Sequence, residues 1–276
     1  MSAGDTRPAA GLRWLEALTG SAGLIDSAPR TVRVADAPLG AEVARFIAVV
    51  PDPDNRFPRA RAGEVGLDEA LGLARQVRRT LTEDAQRRPR PIIALVDVTS
   101  QAYGRREELF GILLAGAAAV DAYASARLAG HPVIALLVGK AISGGFLTHG
   151  YQANRILALD SPGVLLHAMS KQSAARVTRR TVEELEQLGE RVTPMAYDVR
   201  SYAKLGLLHR LIAGVDAASP TPAGVERVRA ELGAAIADAR SGARDLSTRL
   251  TSAAAAAGRA ASIAVRRRLA EQWDAS

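Results

Sequence analysis

The chain has 276 residues, enough for one large or two small domains with a substantial buried core. It contains no cysteine, which excludes disulfides, thiolate metal sites and cysteine nucleophiles. The four histidines show none of the spacings typical of zinc ligands, so we expect no metal site. The net charge of +7 comes from arginines spread along the chain and favours an acidic partner or an anionic ligand.

Composition also argues against two further classes of partner. Aromatic residues make up only 4% of the chain and no basic stripe interleaves with them, so the stacking platform of single-strand nucleic-acid binders is missing. The N-terminal sequence MSAGDTRPAAGLRW has no apolar segment behind a basic start, and no window reaches the roughly 18 apolar residues that a membrane span requires. We therefore predict a cytoplasmic protein that binds neither nucleic acid nor membranes.

The first part of the chain predicts an arm followed by two strands and a helix. Residues 1–30 are rich in Gly, Ala, Pro and Ser, and we expect an arm that settles on a partner or on the body of the protein, with a short helix in RWLEALTG. RTVRVADAPLG and ARFIAVVPDPDNRF predict two early strands. GLDEALGLARQVRRTLTEDAQ carries apolar residues at helical spacing, with charged residues on the opposite face.

The central part predicts the core of the fold. Two buried strands are predicted in PIIALVDVTSQAYG and HPVIALLV, separated by a helix from Glu107 to about Leu128. FLTHGYQA then predicts a helix and RILALD a third strand. Continuous apolar strands that alternate with helices predict an α/β core with a parallel sheet covered on both faces. We place this domain at residues 31–220, followed by C-terminal helices at 221–276 that pack on the domain or on a partner.

The stretch VGKAISGGFLTHG, residues 138–150, holds two adjacent glycines, Gly144 and Gly145, directly after a buried strand. Glycine pairs occur where a backbone bends sharply or where something approaches it closely. A turn that opens a helix exposes unpaired N–H groups at the positive end of the helix dipole, and such a place binds an oxyanion. The alternative is that the glycines serve only the close packing of strand and helix. No phosphate-binding glycine motif is formed, so a nucleotide cradle fits poorly.

The two strands and the glycine turn together resemble the core of the carboxyltransferase branch of the crotonase superfamily. In that branch the first strand runs into a VDTPG-type turn and the second into a G-E-x-x-S-G-G-A turn. The segments RWLEALTG, QAYGRREELFGI and LLHAMSKQSAARVT extend the likeness from about Gly11 to Pro220, and the whole resembles the gamma subunits of biotin-independent malonate decarboxylases. The resemblance implies a crotonase-like (ClpP/crotonase) α/β spiral of ββα units with a helical C-terminal region.

The resemblance also implies a function. Such a subunit works with a beta subunit and an acidic acyl carrier protein, and the active site is expected at the interface of the two subunits. Together they convert a malonyl-thioester, held on the phosphopantetheine-type group of the carrier, to an acetyl-thioester and CO2 through an enolate. This chain would bind no cofactor directly and use no biotin. Alternatives are an acyl-CoA carboxyltransferase subunit and a non-catalytic subunit that only stabilises an active partner.

Two departures from the carboxylase pattern bear on these alternatives. The chain reads Val98-Thr99-Ser100-Gln101 where carboxylases have a Thr-Pro-Gly turn, and it has Lys140 where they have Glu. Both changes argue against carboxyl transfer to biotin. They leave the turn at residues 143–145 intact, so the expected oxyanion site is unaffected.

The resemblance implies a site made of backbone groups. Gly144 and Gly145 are expected to supply one amide of the oxyanion hole, and an amide between Gln101 and Gly104 the other. Removing one such donor typically costs about 10²- to 10³-fold in rate. We expect Ser143 to cap the following helix by accepting a backbone N–H.

Several side chains are candidate contacts for the substrate or the carrier protein, and most of them also have a purely structural interpretation. Lys140 either faces solvent or contacts the thioester arm, and His167 either faces the site or is a satisfied core histidine; Ser170 is a further substrate-binding candidate. Arg176, Arg179 and Arg180 form either a solvated face or a contact for the acidic carrier protein. Asp97, at the end of the first buried strand, is expected to order its own turn.

A ClpP-type protease is the remaining alternative, since that family shares the crotonase-like fold. Ser143 would be the nucleophile, with His149 or His167 as its base. The chain lacks a G-x-S-x-G elbow, and no acidic residue is placed to orient a histidine. We therefore regard this reading as less favoured than the decarboxylase reading.

Overall fold

The computed structural model describes residues 9–20 and 24–274. Its centre is an eight-stranded sheet in the order β1-β2-β3-β4-β5-β6-β8, with β7 paired to β5. The strands are β1 (Leu24–Ile25), β2 (Val32–Leu39), β3 (Glu42–Val49), β4 (Ile92–Val98), β5 (Val133–Ile142), β6 (Arg155–Leu159), β7 (Leu165–His167) and β8 (Arg210–Ile212).

Helices cover both faces of this sheet and follow it toward the C-terminus. They are α1 (Ala10–Thr19), α2 (Leu67–Glu83), α3 (Arg105–Leu109), α4 (Ile112–Leu128), α5 (Ser143–Thr148), α6 (Lys171–Thr178), α7 (Val182–Arg191), α8 (Val199–Lys204), α9 (Pro222–Ser241), α10 (Thr248–Thr251), α11 (Ala253–Gly258) and α12 (Ala260–Asp274). Two short 3-10 helices lie at Pro58–Ala60 and Thr193–Met195.

The two early strands and the three buried strands predicted from the sequence are all confirmed. β2 and β3 pair antiparallel, and β3, β4, β5, β6 and β8 then follow one another in parallel. The side chains of β4 are buried on both sides of the sheet except at Asp97. This double burial explains why the central strands are continuous apolar runs with no alternation.

Two element boundaries differ from the sequence prediction. The helix expected from Glu107 is two helices, α3 and α4, because Gly111 between them has φ +80°, outside the helical region. The helix expected at FLTHGYQA was placed too late, since α5 begins at Ser143 and ends at Thr148. β5 is also longer than predicted and includes Lys140, because its last residues pair with β7.

The helix predicted near the start of the chain is present and packs on the body. Trp14, Leu15 and Leu18 of α1 are buried, and the Trp14 indole donates a hydrogen bond to the Ala217 carbonyl, 3.0 Å away. Gly11 at the start of α1 lies against Asp97, to which its amide donates at 3.4 Å. The predicted arm also includes β1, which pairs with β2, while its residues 1–8 and 21–23 lie outside the described residues.

A buried ion-pair network joins the sheet to α2 on the side away from the glycine turn. Arg45 of β3 is only 2% exposed, and its Nη2 lies 2.8 Å from Asp36 and 2.9 Å from Glu83. Arg90 continues the network to Asp36 at 2.9 Å and to Asp84 at 2.6 Å. Burial alone would lower the pKa of Arg45, but the hydrogen bond and charge of Asp36 raise it overall. The network therefore keeps a buried guanidinium charged.

Replacing the central cation of this network tests its contribution to stability. We expect Arg45→Met to lower the free energy of unfolding by about 2–4 kcal/mol, because it leaves three carboxylates, Asp36, Glu83 and Asp84, sharing Arg90. Urea unfolding monitored by circular dichroism measures the change. Arg78→Met is the matched control, since Arg78 pairs with Asp121 on the exposed surface, and we expect about 0.5 kcal/mol or less there. Equal effects of the two substitutions would contradict the prediction.

Candidate active site

The two glycines lie where the chain leaving β4 touches the turn after β5. A Cβ atom on Gly145 would lie 2.6 Å from the carbonyl carbon of Ser100 and closer still to its carbonyl oxygen. Both are backbone atoms, so no side-chain movement relieves the contact. What approaches Gly145 is therefore the backbone of the preceding strand connection, and only glycine allows the two strand ends to meet this closely.

The backbone amide of Gly144 already binds an oxygen atom. It donates a hydrogen bond to Oε1 of Gln101 at a distance of 2.6 Å. The backbone N–H of Gln101 makes no hydrogen bond among the described residues, and its nitrogen lies 3.2 Å from the position that a Cβ on Gly145 would take. Two amides, one from each strand end, thus lie at the same contact. The Gln101 side chain shows that an oxygen with partial negative charge fits there.

The structure corrects the predicted role of Ser143. α5 begins at Ser143 itself, and no side chain caps it, so the prediction of a helix-capping serine is wrong. The Ser143 hydroxyl instead lies 3.1 Å from the hydroxyl of Tyr103. Ser143 also has φ +60°, a left-handed conformation that costs a non-glycine residue of order 1 kcal/mol and is often found at functional sites. Sequence reasoning missed Tyr103, although it lies in the QAYG segment that follows β4.

A small apolar cavity opens next to this contact. Its volume is about 180 Å³, and Gln101 and Gly144 form part of its wall. The rest of the lining comes from α4, α5 and their neighbours and is mostly apolar; it consists of Val65, Ala70, Ile112, Leu113, Gly116, Ala117, Val120, Leu147 and Thr148. Once such a wall is covered by another protein, a polar donor in it acts in a low dielectric, where its interaction with a developing charge is stronger than in water.

Large apolar side chains stand exposed beside the cavity. Leu109, Phe110, Leu113 and Leu114, which we call the apolar rim, are 81%, 62%, 72% and 78% exposed. They lie at the end of α3 and in the first turn of α4, and Leu113 also lines the cavity. Contiguous exposed apolar residues of this size usually mark a surface that another protein covers.

Lys140 is exposed on β5, and its backbone is held by Asp97. The Lys140 amide donates to Oδ1 of Asp97 at 3.0 Å, and the other carboxylate oxygen accepts from Gly11. Gly139 has no side chain at the point where Asp97 crosses β5; a Cβ there would overlap the carboxylate. Asp97 thus ties β4, β5 and α1 together at the edge that carries the site. A role for the Lys140 ammonium in binding substrate stays a prediction.

His167 lies next to the glycine turn in the sheet. It pairs in register with Ile142, the residue before Ser143, and its ring stacks on Tyr197 with centroids 3.9 Å apart. Its Nδ1 lies 3.0 Å from the Met169 carbonyl oxygen, and burial lowers the pKa of its imidazole. His167 is therefore a largely buried, packed histidine close to the site. Contact with substrate stays a prediction.

The remaining candidates have clear local roles. Ser170 caps α6, accepting a hydrogen bond from the Ser173 amide at 3.2 Å, and a substrate contact there stays a prediction. Gly104 precedes α3, and a Cβ there would overlap the buried carboxylate of Glu107. Arg176, Arg179 and Arg180 are all exposed. They form one basic area at the end of α6.

His149 is fully buried behind the site, and both of its ring nitrogens have partners. Nε2 lies 3.0 Å from the Leu95 carbonyl, to which it donates, and Nδ1 lies 3.0 Å from the Tyr123 hydroxyl. Burial lowers the pKa of His149 to about 4. A neutral histidine with no free nitrogen cannot take a proton from Ser143, which removes one of the two bases of the protease reading. Among the described residues no group of histidine and acidic side chains is arranged to hold a metal ion.

Solved structures of low sequence identity define the class of fold. Transcarboxylase 12S matches with a TM-score of 0.61 and 18% identity over 82% of this chain and 40% of that chain. The beta subunit of P. aeruginosa geranyl-CoA carboxylase matches with a TM-score of 0.57 and 18% identity over 88% of this chain and 44% of that chain. The protein therefore has the crotonase-like fold of the carboxyltransferases, as the sequence predicted.

Relatives of higher identity define the family. Residues 60–273 match the family of the malonate decarboxylase gamma subunit. A chain of a Pseudomonas malonate decarboxylase hetero-tetramer in complex with coenzyme A is 57% identical, with a TM-score of 0.90 over 96% of this chain and 100% of that chain. A chain of the Pseudomonas MdcD-MdcE hetero-dimer is 55% identical, with a TM-score of 0.87 over the same shares. The chain belongs to the malonate decarboxylase gamma subunit family, and the predicted family is confirmed.

A curated relative names a related activity. The malonyl-S-ACP:biotin-protein carboxyltransferase MADD of Malonomonas rubra is 37% identical over 167 residues, which make up 59% of this chain. The match spans 57% of the length of that relative.

None of the helices within residues 9–20 and 24–274 has the length and apolar character needed to span a bilayer.

The buried His149 predicts a pH dependence of stability. An unfolded histidine titrates near pH 6.5, whereas the folded one has a pKa of about 4, so the unfolded chain binds the proton first as the pH falls. The stability contributed by neutral His149 is complete above about pH 6.5 and is lost as the pH falls toward 4. Between pH 7 and pH 5 we expect the wild type to lose about 2 kcal/mol more than His149→Gln, measured by urea unfolding. Parallel pH profiles for the two proteins would refute this.

Proposed function

We propose that this chain is the gamma subunit of a malonate decarboxylase that acts with a beta subunit on malonyl-thioester bound to an acyl carrier protein. The observation that carries the proposal is the hydrogen bond from the Gly144 amide to Gln101 Oε1, which marks an oxygen position beside an apolar cavity. Membership of the family supports it, and so do the related Pseudomonas structures, which are a hetero-dimer and a hetero-tetramer.

The chemistry needs an oxyanion site above all. Loss of CO2 from a malonyl-thioester breaks the bond between its C2 and its carboxylate, and the electron pair of that bond passes to the thioester carbonyl as an enolate. Protonation at C2, by water or by a group of the partner, then gives the acetyl-thioester. Negative charge on the thioester oxygen grows toward the transition state, so amides aimed at this oxygen stabilise the transition state more than the ground state. No nucleophile or metal is required.

In this proposal the thioester oxygen takes the place of Gln101 Oε1. The Gly144 amide is one donor, and the Gln101 backbone amide, whose nitrogen lies at the Gly145 contact, is the proposed second donor. The Gln101 side chain must rotate away, which gives up one hydrogen bond, worth about 1 kcal/mol net. The neighbouring 180 Å³ cavity then receives the apolar part of the thioester arm.

The apolar rim supports a site completed by the beta subunit. One of its four exposed side chains, Leu113, lines the cavity, so a subunit that covers the rim also covers the oxyanion site and excludes water from it. The chain alone would then have an open and poorly active site. We further propose that the exposed Arg176, Arg179 and Arg180 meet the acidic carrier protein, since opposite surface charge steers such encounters.

The related carboxyltransferase suggests a second candidate function, carboxyl transfer to a biotin protein. The name of the Malonomonas protein describes transfer from malonyl-S-ACP to a biotin protein. We propose direct release of CO2 without biotin, because Lys140 and the Val98–Gln101 segment depart from the carboxylase pattern. A third possibility is a non-catalytic subunit that stabilises an active beta partner. The experiments below separate the three.

The first experiment measures CO2 release from malonyl-thioester, on the carrier protein and on coenzyme A. The chain alone and the chain co-expressed with a beta subunit are compared, each with and without a biotinylated acceptor protein. We expect release from the complex only, at a rate that the biotin protein does not change. Release that requires the biotin acceptor would establish the carboxyltransferase function instead. No release from a folded complex would refute the decarboxylase proposal.

Gly145→Ala tests in the same assay whether this chain contributes to the site. We expect turnover by the complex to fall at least about 10²-fold, because the new Cβ pushes the two amide-bearing strand ends apart. Gly233→Ala is the matched control, since a Cβ at Gly233 of α9 meets no atom within 4 Å. A folded Gly145→Ala complex with full activity would support the non-catalytic alternative.

Gln101→Ala tests whether the glutamine side chain only occupies the oxyanion site. Its removal leaves both backbone amides in place and frees the Gly144 donor. We expect kcat to stay within about threefold of the wild type and KM for the malonyl-thioester to fall, because one hydrogen bond no longer has to be broken. A loss of kcat by 10²-fold or more, with unchanged folding, would instead make the Gln101 side chain itself part of the catalytic machinery.

A further inference from the structure

A second cavity lies at the opposite edge of the sheet, where β4, β5 and β6 begin. Its volume is about 270 Å³, and its lining consists of Pro89, Arg127, Ala129, Gly130, His131, Asn154, Ala239, Arg240 and Arg244. This lining contains three arginines and no carboxylate. β5 spans ten residues between this edge and the glycine turn, or about 33 Å at 3.3 Å per residue, so the cavity is separate from the candidate active site.

Arg127 brings an unpaired charge into the wall of this cavity. It is only 7% exposed; its Nε donates to the Gln152 carbonyl at 3.1 Å and its Nη1 to the Arg244 carbonyl. Its Nη2 makes no hydrogen bond among the described residues. Burial lowers the pKa of Arg127, and the charge of Asp245 only partly opposes that shift. The Asp245 carboxylate itself is exposed and accepts hydrogen bonds from Ser247.

The other two arginines differ from each other in their partners. Arg240 is neutralised by Glu42, whose Oε2 lies 2.5 Å from its Nη2. Arg244 has no acidic partner among the described residues; its Nη1 donates to the Leu128 carbonyl at 3.0 Å. Two guanidinium groups, those of Arg127 and Arg244, therefore face this cavity region without an ion pair.

Backbone dipoles offset only part of this charge. α4 ends at Leu128 and α9 ends at Ser241, both beside the cavity. Each helix end carries a partial charge of roughly −0.5, so together they oppose about one of the two positive charges. The exposed guanidinium of Arg244 is solvated, whereas the buried charge of Arg127 is costly unless a negative group compensates it. The protein supplies none within hydrogen-bonding reach in the described part of the chain.

The neutral groups of the lining also suit an anion. Asn154 accepts a hydrogen bond from the Val133 amide through Oδ1 at 2.8 Å, which fixes its side chain and leaves its NH2 group without a partner among the described residues. His131 has its Nδ1 2.9 Å from the Arg90 carbonyl, and burial lowers the pKa of its imidazole. The neutral His131 donates from Nδ1 to that carbonyl and has no second N–H, so the free donors are the NH2 group of Asn154 and Nη2 of Arg127.

We propose that this cavity binds a phosphate-type oxyanion between the guanidinium groups of Arg127 and Arg244, with the amide of Asn154 as a further donor. Planar guanidinium groups match the oxygen geometry of phosphate and form charge-assisted hydrogen bonds to it. The volume of about 270 Å³ is sufficient for a phosphate or a single phosphoryl group. The proposal is independent of the decarboxylase function.

Inorganic phosphate is the probe that tests the site. The full chain is titrated with phosphate by calorimetry, and its melting temperature is compared in phosphate and in potassium chloride of equal ionic strength. We expect saturable binding and a rise in Tm of about 2–4 °C at a phosphate concentration about ten times the measured Kd. An equal rise in chloride would overturn the proposal, because it would show general screening of charge.

Matched variants locate the binding. We expect Arg244→Gln and Arg127→Gln each to weaken phosphate binding at least tenfold, while Arg78→Gln on the exposed surface of α2 leaves it unchanged. Arg244 is exposed, so its variant is expected to fold even if the buried Arg127 variant does not. Phosphate binding of wild-type strength in folded Arg244→Gln would refute the assigned site. A larger phosphorylated ligand competes with inorganic phosphate in the same titration if its phosphoryl group is the natural occupant.

Discussion

The site depends on one steric constraint, the contact between Gly145 and the backbone of Ser100. Because no side chain separates them, the connection after β4 and the turn after β5 come close enough for Gln101 to reach the Gly144 amide. Asp97 reinforces the same approach by bridging the amides of Lys140 and Gly11. The parallel pairing of β4 and β5 brings both strand ends to one edge, and the glycine then determines how closely they meet.

The groups at the contact between Gly144 and Gln101 are backbone amides and a neutral side chain, which suits a reaction whose charge develops on a substrate oxygen. The buried titratable group nearest to it in the chain, His149, is kept neutral and fully hydrogen-bonded. Fixed dipoles in an apolar wall need no reorganisation as charge develops, and this is the main advantage of an oxyanion site. A mobile acid or base on this chain would add a proton-transfer step that the loss of CO2 does not require.

The two edges of the sheet divide the electrostatics of the molecule. The edge that carries the glycine turn opens beside the exposed leucines and phenylalanine of the apolar rim, whereas the edge where the strands begin concentrates arginines. The arginines that give the net charge of +7 therefore differ in their surroundings. Some are neutralised by carboxylates in the network around Arg45, and others lie beside helix ends and a cavity without an acidic partner. The first edge fits a covering protein and the second a small anion.

Local patterns in the sequence determined the strands, the amphipathic helices and the special character of the Gly144-Gly145 pair, because periodicity and backbone freedom are properties of neighbouring residues. Resemblance to a family added the fold and the expected function. Only the tertiary structure decided that the Gln101 side chain reaches Gly144, that Ser143 meets Tyr103 instead of capping α5, and that Arg127 and Arg244 share a cavity with Asn154. The residues that these contacts bring together are far apart in the sequence: Arg127 is about 27 positions from Asn154 and 117 positions from Arg244. Such distances are set by strand order and packing, which no local pattern encodes.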